Sequence, residues 1–130
     1  MMDWSVAFAS CPLVAILRGI TPDAALPVVG ALLDKGFTIV EVPLNSANAI
    51  DSINRLSSRF AKDAVIGAST VLTPTQVCQV RAAGGRLVVS PNYDARVACA
   101  ALQNGMVYGP GFGTESEAFA ALQGPVAQMA

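Results

Sequence analysis

Five short apolar runs punctuate the chain: PLVAILR (12–18), FTIVEVPL (37–44), AVIGAS (64–69), RLVVS (86–90) and MVYGP (106–110), their starts 20 to 27 residues apart. Such even spacing is the mark of a repeated strand–helix unit, and it restricts the chain to a few folds. The runs are rich in β-branched residues and apolar on both alternating sets, which predicts parallel strands covered on both faces. One residue breaks the pattern. Glu41 sits in the middle of the second run, where an uncompensated carboxylate is costly to bury.

Punctuation between the runs fits helices. Thr21-Pro22-Asp23 offers a cap, a proline at the first helical position and an acidic first turn. Thr73 to Gln76 and Thr114 to Glu117 have capping-box spacing. Gly36, Gly84-Gly85 and Gly105 each stop a helix before a strand. Pro27 falls inside the first helical pattern, near enough to its start to be tolerated. Units of this kind build either a closed eight-stranded barrel or an open doubly wound sheet. The open sheet usually carries a Gly-x-Gly-x-x-Gly turn after its first strand, and here that turn reads Arg18-Gly19-Ile20-Thr21-Pro22. A nucleotide-binding open sheet is therefore the weaker expectation.

In both folds chemistry gathers at the carboxyl ends of the strands. Those ends bring Arg18-Gly19, Glu41 to Asn45, Ser69-Thr70, Ser90-Pro91-Asn92 and Gly109 to Thr114 to one rim. A cation, a carboxylate, hydroxyls and an amide suit a small anionic substrate. Each residue also has a plain structural reading. Arg18 could pair with Glu41 as an ion pair, Thr70 could cap a helix, and Asn45 and Asn92 could be ordinary turn residues. The glycine-rich GPGFGTE (109–115) is weak evidence for a phosphate cradle on its own. Tyr108 reads as core. Lys35 and Lys62 fall at a helix end and in a polar loop, away from the strand ends.

Composition narrows the chemistry further. The chain has no histidine, which removes histidine-based nucleophile systems and makes a transition-metal site unexpected; acid–base work must fall to carboxylate, lysine or tyrosine. Cys11, Cys78 and Cys99 are widely spaced and odd in number, which predicts reduced and mostly buried thiols. Arg55, Arg59 and Lys62 fit one solvated helix face better than a phosphate track, so no nucleic acid partner is expected. No apolar run approaches a membrane span, and the N-terminus does not resemble a signal peptide, so the expectation is a cytoplasmic protein. Only 13% of residues are charged and 53% are hydrophobic, so much of the surface should be covered.

Taken together, VAILRGITPDAAL, VEVPLNS, IGASTVLTPTQV, VVSPNYDARV and YGPGFGTESEAFAALQ closely resemble the class I aldolases that cleave 2-keto-3-deoxy-6-phospho sugar acids. The resemblance runs from about residue 12 to residue 123, with the motifs in family order. It implies an α/β fold of the (β/α)8 TIM barrel family, usually a cytoplasmic homotrimer, and a reaction giving pyruvate and glyceraldehyde 3-phosphate without metal or cofactor. It implies that Glu41 is the general acid/base, that Arg18 and Thr70 hold the pyruvate-end carboxylate, and that Pro91 and Phe112 wall the pocket. VPLNS resembles the 6-phosphogalactonate type, because the 6-phosphogluconate type typically has an arginine at the position of Asn45. Ser69 departs from the family, which commonly has glycine before the threonine; a side chain there could narrow the pocket.

The resemblance also implies a Schiff-base lysine on a sixth strand. The sequence reaches GPVAQMA (124–130), read as the stub of that strand, without it. The expectation is a single incomplete barrel domain over 1–130, truncated to about five units. It would be inactive alone, and poorly soluble, oligomerising or partly molten through its open edges. The alternatives are a non-catalytic carboxylate-binding or self-associating half-barrel, and, for the substrate, 2-keto-3-deoxy-6-phosphogluconate or 4-hydroxy-2-oxoglutarate.

Overall fold

The computed structural model describes residues 1–125. Its elements alternate as the spacing predicts: α1 (Trp4–Ser10), β1 (Val14–Ile16), α2 (Pro22–Asp34), β2 (Ile39–Pro43), α3 (Ala49–Phe60), β3 (Val65–Ser69), α4 (Pro74–Ala82), β4 (Leu87–Val89), α5 (Ala95–Gln103), β5 (Val107–Gly109) and α6 (Glu115–Gln123). Every strand lies inside one of the five apolar runs. They form one parallel sheet in the order β1-β2-β3-β4-β5, each strand beside the one before it in sequence.

Alternation along the strands divides the core in two. Val40, Val42, Ile66, Ala68, Val88 and Tyr108 join Val29, Ile53, Leu56, Phe60, Val77, Val80 and Val97 in the layer between sheet and helices. Ile39, Val65 and Leu87 face the other way and pack on Ala7 of α1, with Met2 and Trp4 beside it. Each fully buried aliphatic side chain in these layers contributes about 1.5–3 kcal/mol relative to leaving it exposed. The helix α1, too short to announce itself by periodicity, closes the amino end of the sheet's inner face. Asp3 Oδ1 caps it by accepting from the Ser5 amide at 2.9 Å, and the Thr38 hydroxyl donates to Ala7 O at 2.8 Å.

Both capping boxes form. Thr73 and Gln76, and Thr114 and Glu117, satisfy each other's backbone amides at the starts of α4 and α6. Thr21 caps α2 in position, but its side chain makes no capping bond, and the proline beside it removes one amide that would need a partner. Pro27 stays within α2 without ending it. Gly36 and Gly84 both take φ of +93°, the left-handed geometry that lets the chain leave a helix sharply.

One expectation is corrected. The cysteines are free, but Cys78 and Cys99 are exposed and Cys11 is only half-buried. Val77 and Val80 of α4, and Val97, Ala98 and Ala101 of α5, fill the faces turned to the sheet, which leaves Cys78 and Cys99 on the outer faces. Among the described residues no helix is long and apolar enough to cross a membrane. The predicted stub at 124–130 lies outside the described residues from position 126 onward.

Candidate functional site

The site grows from β2, all five residues of which are buried. Since Val40 and Val42 pack toward the helices, Glu41 points with Ile39 to the inner face, where its residue is 2% exposed. Strand register sets its neighbours: Ile16 of β1 on one side and Gly67 of β3 on the other. Gly67 offers no side chain, so the carboxyl meets the next residue of that face, Ser69.

Burial pushes the Glu41 pKa above its ordinary value; the nearby Ser69 hydroxyl and the positive field of Arg18 hold it back. Oε2 remains buried with no hydrogen-bond partner. A carboxyl in this setting exchanges a proton nearer to neutrality than a solvated one. Ser69 thus sits beside the acid it accompanies, a partnership hidden from sequence because it depends on the β2–β3 register. It is 8% exposed.

Arg18 is exposed and forms no ion pair with Glu41: the ion pairs among the described residues are Arg55 with Asp23 and Asp51, and Arg96 with Asp94. The salt-bridge reading is therefore set aside, and the guanidinium is free for an anion. Its loop is held tightly. The Leu17 amide donates to Glu41 O at 2.9 Å, and the Gly19 amide donates to Ser46 Oγ at 3.1 Å. Ser46 is buried and follows the exposed Asn45, so Asn45 and Arg18 stand on adjoining loops.

Thr70 is half-buried and takes φ of +57°. A β-branched residue in the left-handed region is a genuine outlier, costing about 1–3 kcal/mol, and such strain tends to be kept at functional positions. The cap of α4 is Thr73, so Thr70 has no capping duty. We expect Thr70→Gly to raise stability by about 1 kcal/mol, since glycine adopts this geometry freely. Urea denaturation measures it, and a lowered midpoint would mean that the Thr70 side chain is held for packing.

Pro91 is exposed at the end of β4, and Gly111 lies against it; a Cβ at Gly111 would come within 2.3 Å of Pro91 O. Phe112, 64% exposed, lines an apolar groove with Phe119 and Leu122 of α6. Both residues are on the rim's loops, with Phe112 turned to α6. Asp94 caps α5 and pairs with Arg96, which holds its carboxyl down at about 2. Lys35 and Lys62 follow the ends of α2 and α3, at the opposite end of the sheet from this rim.

Comparison with known proteins gives this rim a context. Residues 6–129 match the family model described as KDPG and KHG aldolase. The chain is 46% identical over 122 residues to the 2-dehydro-3-deoxy-6-phosphogalactonate aldolase of Escherichia coli K12, covering 94% of this chain and 58% of that protein. A solved structure described as native KDPGal superposes with a TM-score of 0.84 at 48% identity, over 86% of this chain and 54% of its own. The Legionella pneumophila KDPG aldolase, solved with pyruvate captured as a covalent carbinolamine, gives 0.82 at 31% identity, over 93% and 58%. The chain spans a little over half the length of these relatives, and its five-stranded sheet matches the corresponding part of their barrel-type fold. By sequence and by fold, this chain belongs to the KDPG and KHG aldolase family.

Proposed function

We propose that this rim is the carboxylate-binding and proton-transferring part of a class I aldolase acting on a 2-keto-3-deoxy-6-phospho sugar acid. The observation that carries the reading is Glu41, a buried carboxyl with one unpartnered oxygen and a raised pKa, within the field of an exposed arginine that no acid among the described residues neutralises. In this proposal Arg18 grips the carboxylate at the pyruvate end through paired hydrogen bonds, and the Thr70 hydroxyl donates to the same group. Glu41 takes and returns the proton as carbinolamine, Schiff base and enamine interconvert. Pro91 and Phe112 bound the pocket. Asn45, beside Arg18, and the 46% identity to the galactonate enzyme favour the 6-phosphogalactonate substrate. The gluconate analogue and 4-hydroxy-2-oxoglutarate are the runners-up.

Schiff-base chemistry needs an amine, and no lysine of the described residues stands on the rim. By itself this chain is therefore proposed to bind pyruvate without linking to it. A second reading, a carboxylate-binding half-barrel that associates with other copies, draws on the exposure of Val14 and Ile16 on the edge strand β1 and of Phe112, Phe119 and Leu122 around α6.

Pyruvate titration followed by borohydride reduction tests the proposal. Wild type is expected to bind reversibly. Arg18→Met should weaken binding about tenfold or more, as loss of a charge-assisted pair does, whereas the outer-face Arg55→Met should not. Mass spectrometry should find no pyruvyl adduct on Lys35 or Lys62. An adduct on either, or no pyruvate affinity in folded wild type, would overturn it.

A further inference from the structure

Among the described residues two non-glycines take left-handed geometry, Asn48 and Thr70. Asparagine tolerates it, whereas the β-branched Thr70 is strained by it, so something must hold Thr70 there. The segment is tied at both ends to the neighbouring strands. Before it, Ser69 O accepts from the Leu44 amide at 2.9 Å. After it, the Val71 amide donates to Val89 O at 3.1 Å, and Val71 O accepts from the Ser90 hydroxyl at 2.6 Å. The Ser90 bond is buried, joins positions 19 apart in sequence, and comes from a residue only 3% exposed. Ser90 is itself fixed, since its amide donates to Gly109 O at 3.0 Å as β5 pairs with β4.

We propose that Ser90 is the positioning residue for Thr70, holding the turn after β3 in the left-handed geometry that presents the Thr70 hydroxyl to the substrate carboxylate. The Val89 carbonyl holds the amide of the peptide that joins Thr70 to Val71, and the Ser90 hydroxyl holds the carbonyl on the far side of Val71. Val71 is thus anchored on both sides, and with it the exit from residue 70. Removing the donor leaves Val71 O buried and unsatisfied, and the strained turn then relaxes toward an ordinary φ. Ser90 touches no substrate; it acts through the backbone. Its role rests on the carboxylate-binding assignment of Thr70 made above.

The experiment reads geometry and binding separately. In isotope-labelled protein, the three-bond amide–Hα coupling and the carbon shifts of Thr70 report its φ without any ligand, and a pyruvate titration reports the site. Ser90→Ala should move Thr70 out of the left-handed region and weaken pyruvate binding by about five- to tenfold, the value of one lost hydrogen bond. Ser90→Thr, which keeps the hydroxyl, should preserve both. If Ser90→Ala does not fold, Ser90→Cys is the test: same size, weaker donor, with both readouts expected to shift in the same direction to a smaller extent. An unchanged Thr70 φ in the folded alanine or cysteine variant overturns the proposal. A wild type that has the left-handed Thr70 but no pyruvate affinity would overturn the binding assignment instead, and the φ response to Ser90 would still decide whether Ser90 holds the turn.

Discussion

Gly67→Ala is expected to cost this fold about 3 kcal/mol or more, enough to unfold a domain of ordinary stability under mild denaturant. Gly67 lies between Glu41 and Leu87 in the sheet, and a Cβ there would stand 2.3 Å from Leu87 O, 2.5 Å from Leu87 Cβ and 2.8 Å from Leu87 C. Two of those three atoms are main chain, which no rotamer change can move. The methyl group must therefore push β3 and β4 apart, breaking pairing as well as packing. Gly30→Ala is the matched control. Its Cβ would meet only Phe60 Cζ, at 3.9 Å, and removing a glycine from within α2 should stabilise by about 0.5–1 kcal/mol. Urea denaturation of the two variants should move in opposite directions. A Gly67→Ala midpoint equal to wild type would mean that β4 yields more freely than its buried register allows.

Glu41 gives the second large effect, and its sign follows from linkage. The folded chain holds the Glu41 proton more tightly than the unfolded chain, whose carboxyl titrates near 4.5. Between that value and the raised folded pKa the native state carries the extra proton, so stability falls as pH rises across this window. Below the window the carboxyl is neutral in both states and the penalty vanishes; above it the penalty is full. Glu41→Gln should remove this slope, and Glu41→Leu should raise stability at neutral pH by about 1–3 kcal/mol while abolishing proton exchange at the rim. Ser69→Ala should act in the opposite sense to neutralisation. It deletes an influence that lowers the pKa, so the Glu41 midpoint, read from its carboxyl carbon resonance, should move up. Denaturation across a pH series checks the slope. A Glu41→Gln variant that keeps the wild-type slope would place the responsible group elsewhere.

The sequence carried the frame of this molecule because its local signals agree with the tertiary result. Apolar runs became strands, Thr73 and Thr114 became capping boxes, and Gly36, Gly84 and Gly105 took positive φ. Glu41 was conspicuous because charge is rare in a buried strand, and strand alternation, with Val40 and Val42 packed toward the helices, aims it at the inner face. What stayed hidden depends on contacts between strands. Ser69 meets Glu41, and Ser90 reaches Val71, only through register. A threonine with φ of +57° runs against its own preference, so no propensity argument could find it. The helix α1 escaped notice because seven residues are too few for a periodic stripe, and its stability comes from docking on Ile39, Val65 and Leu87. Cys78 and Cys99 misled because cysteine is usually buried, whereas helix phase decides which side it faces.

The strand order β1-β2-β3-β4-β5 has a consequence for how such a chain comes into being. Each new strand pairs with the one synthesised just before it, so no strand of this sheet waits on the ribosome for a distant partner. Only α1, made first, must wait for Ile39, Val65 and Leu87 to dock on. The nascent sheet always has one finished edge ready for the next unit and conceals the previous edge as it grows. Assembly can thus keep pace with translation, one strand and one covering helix at a time.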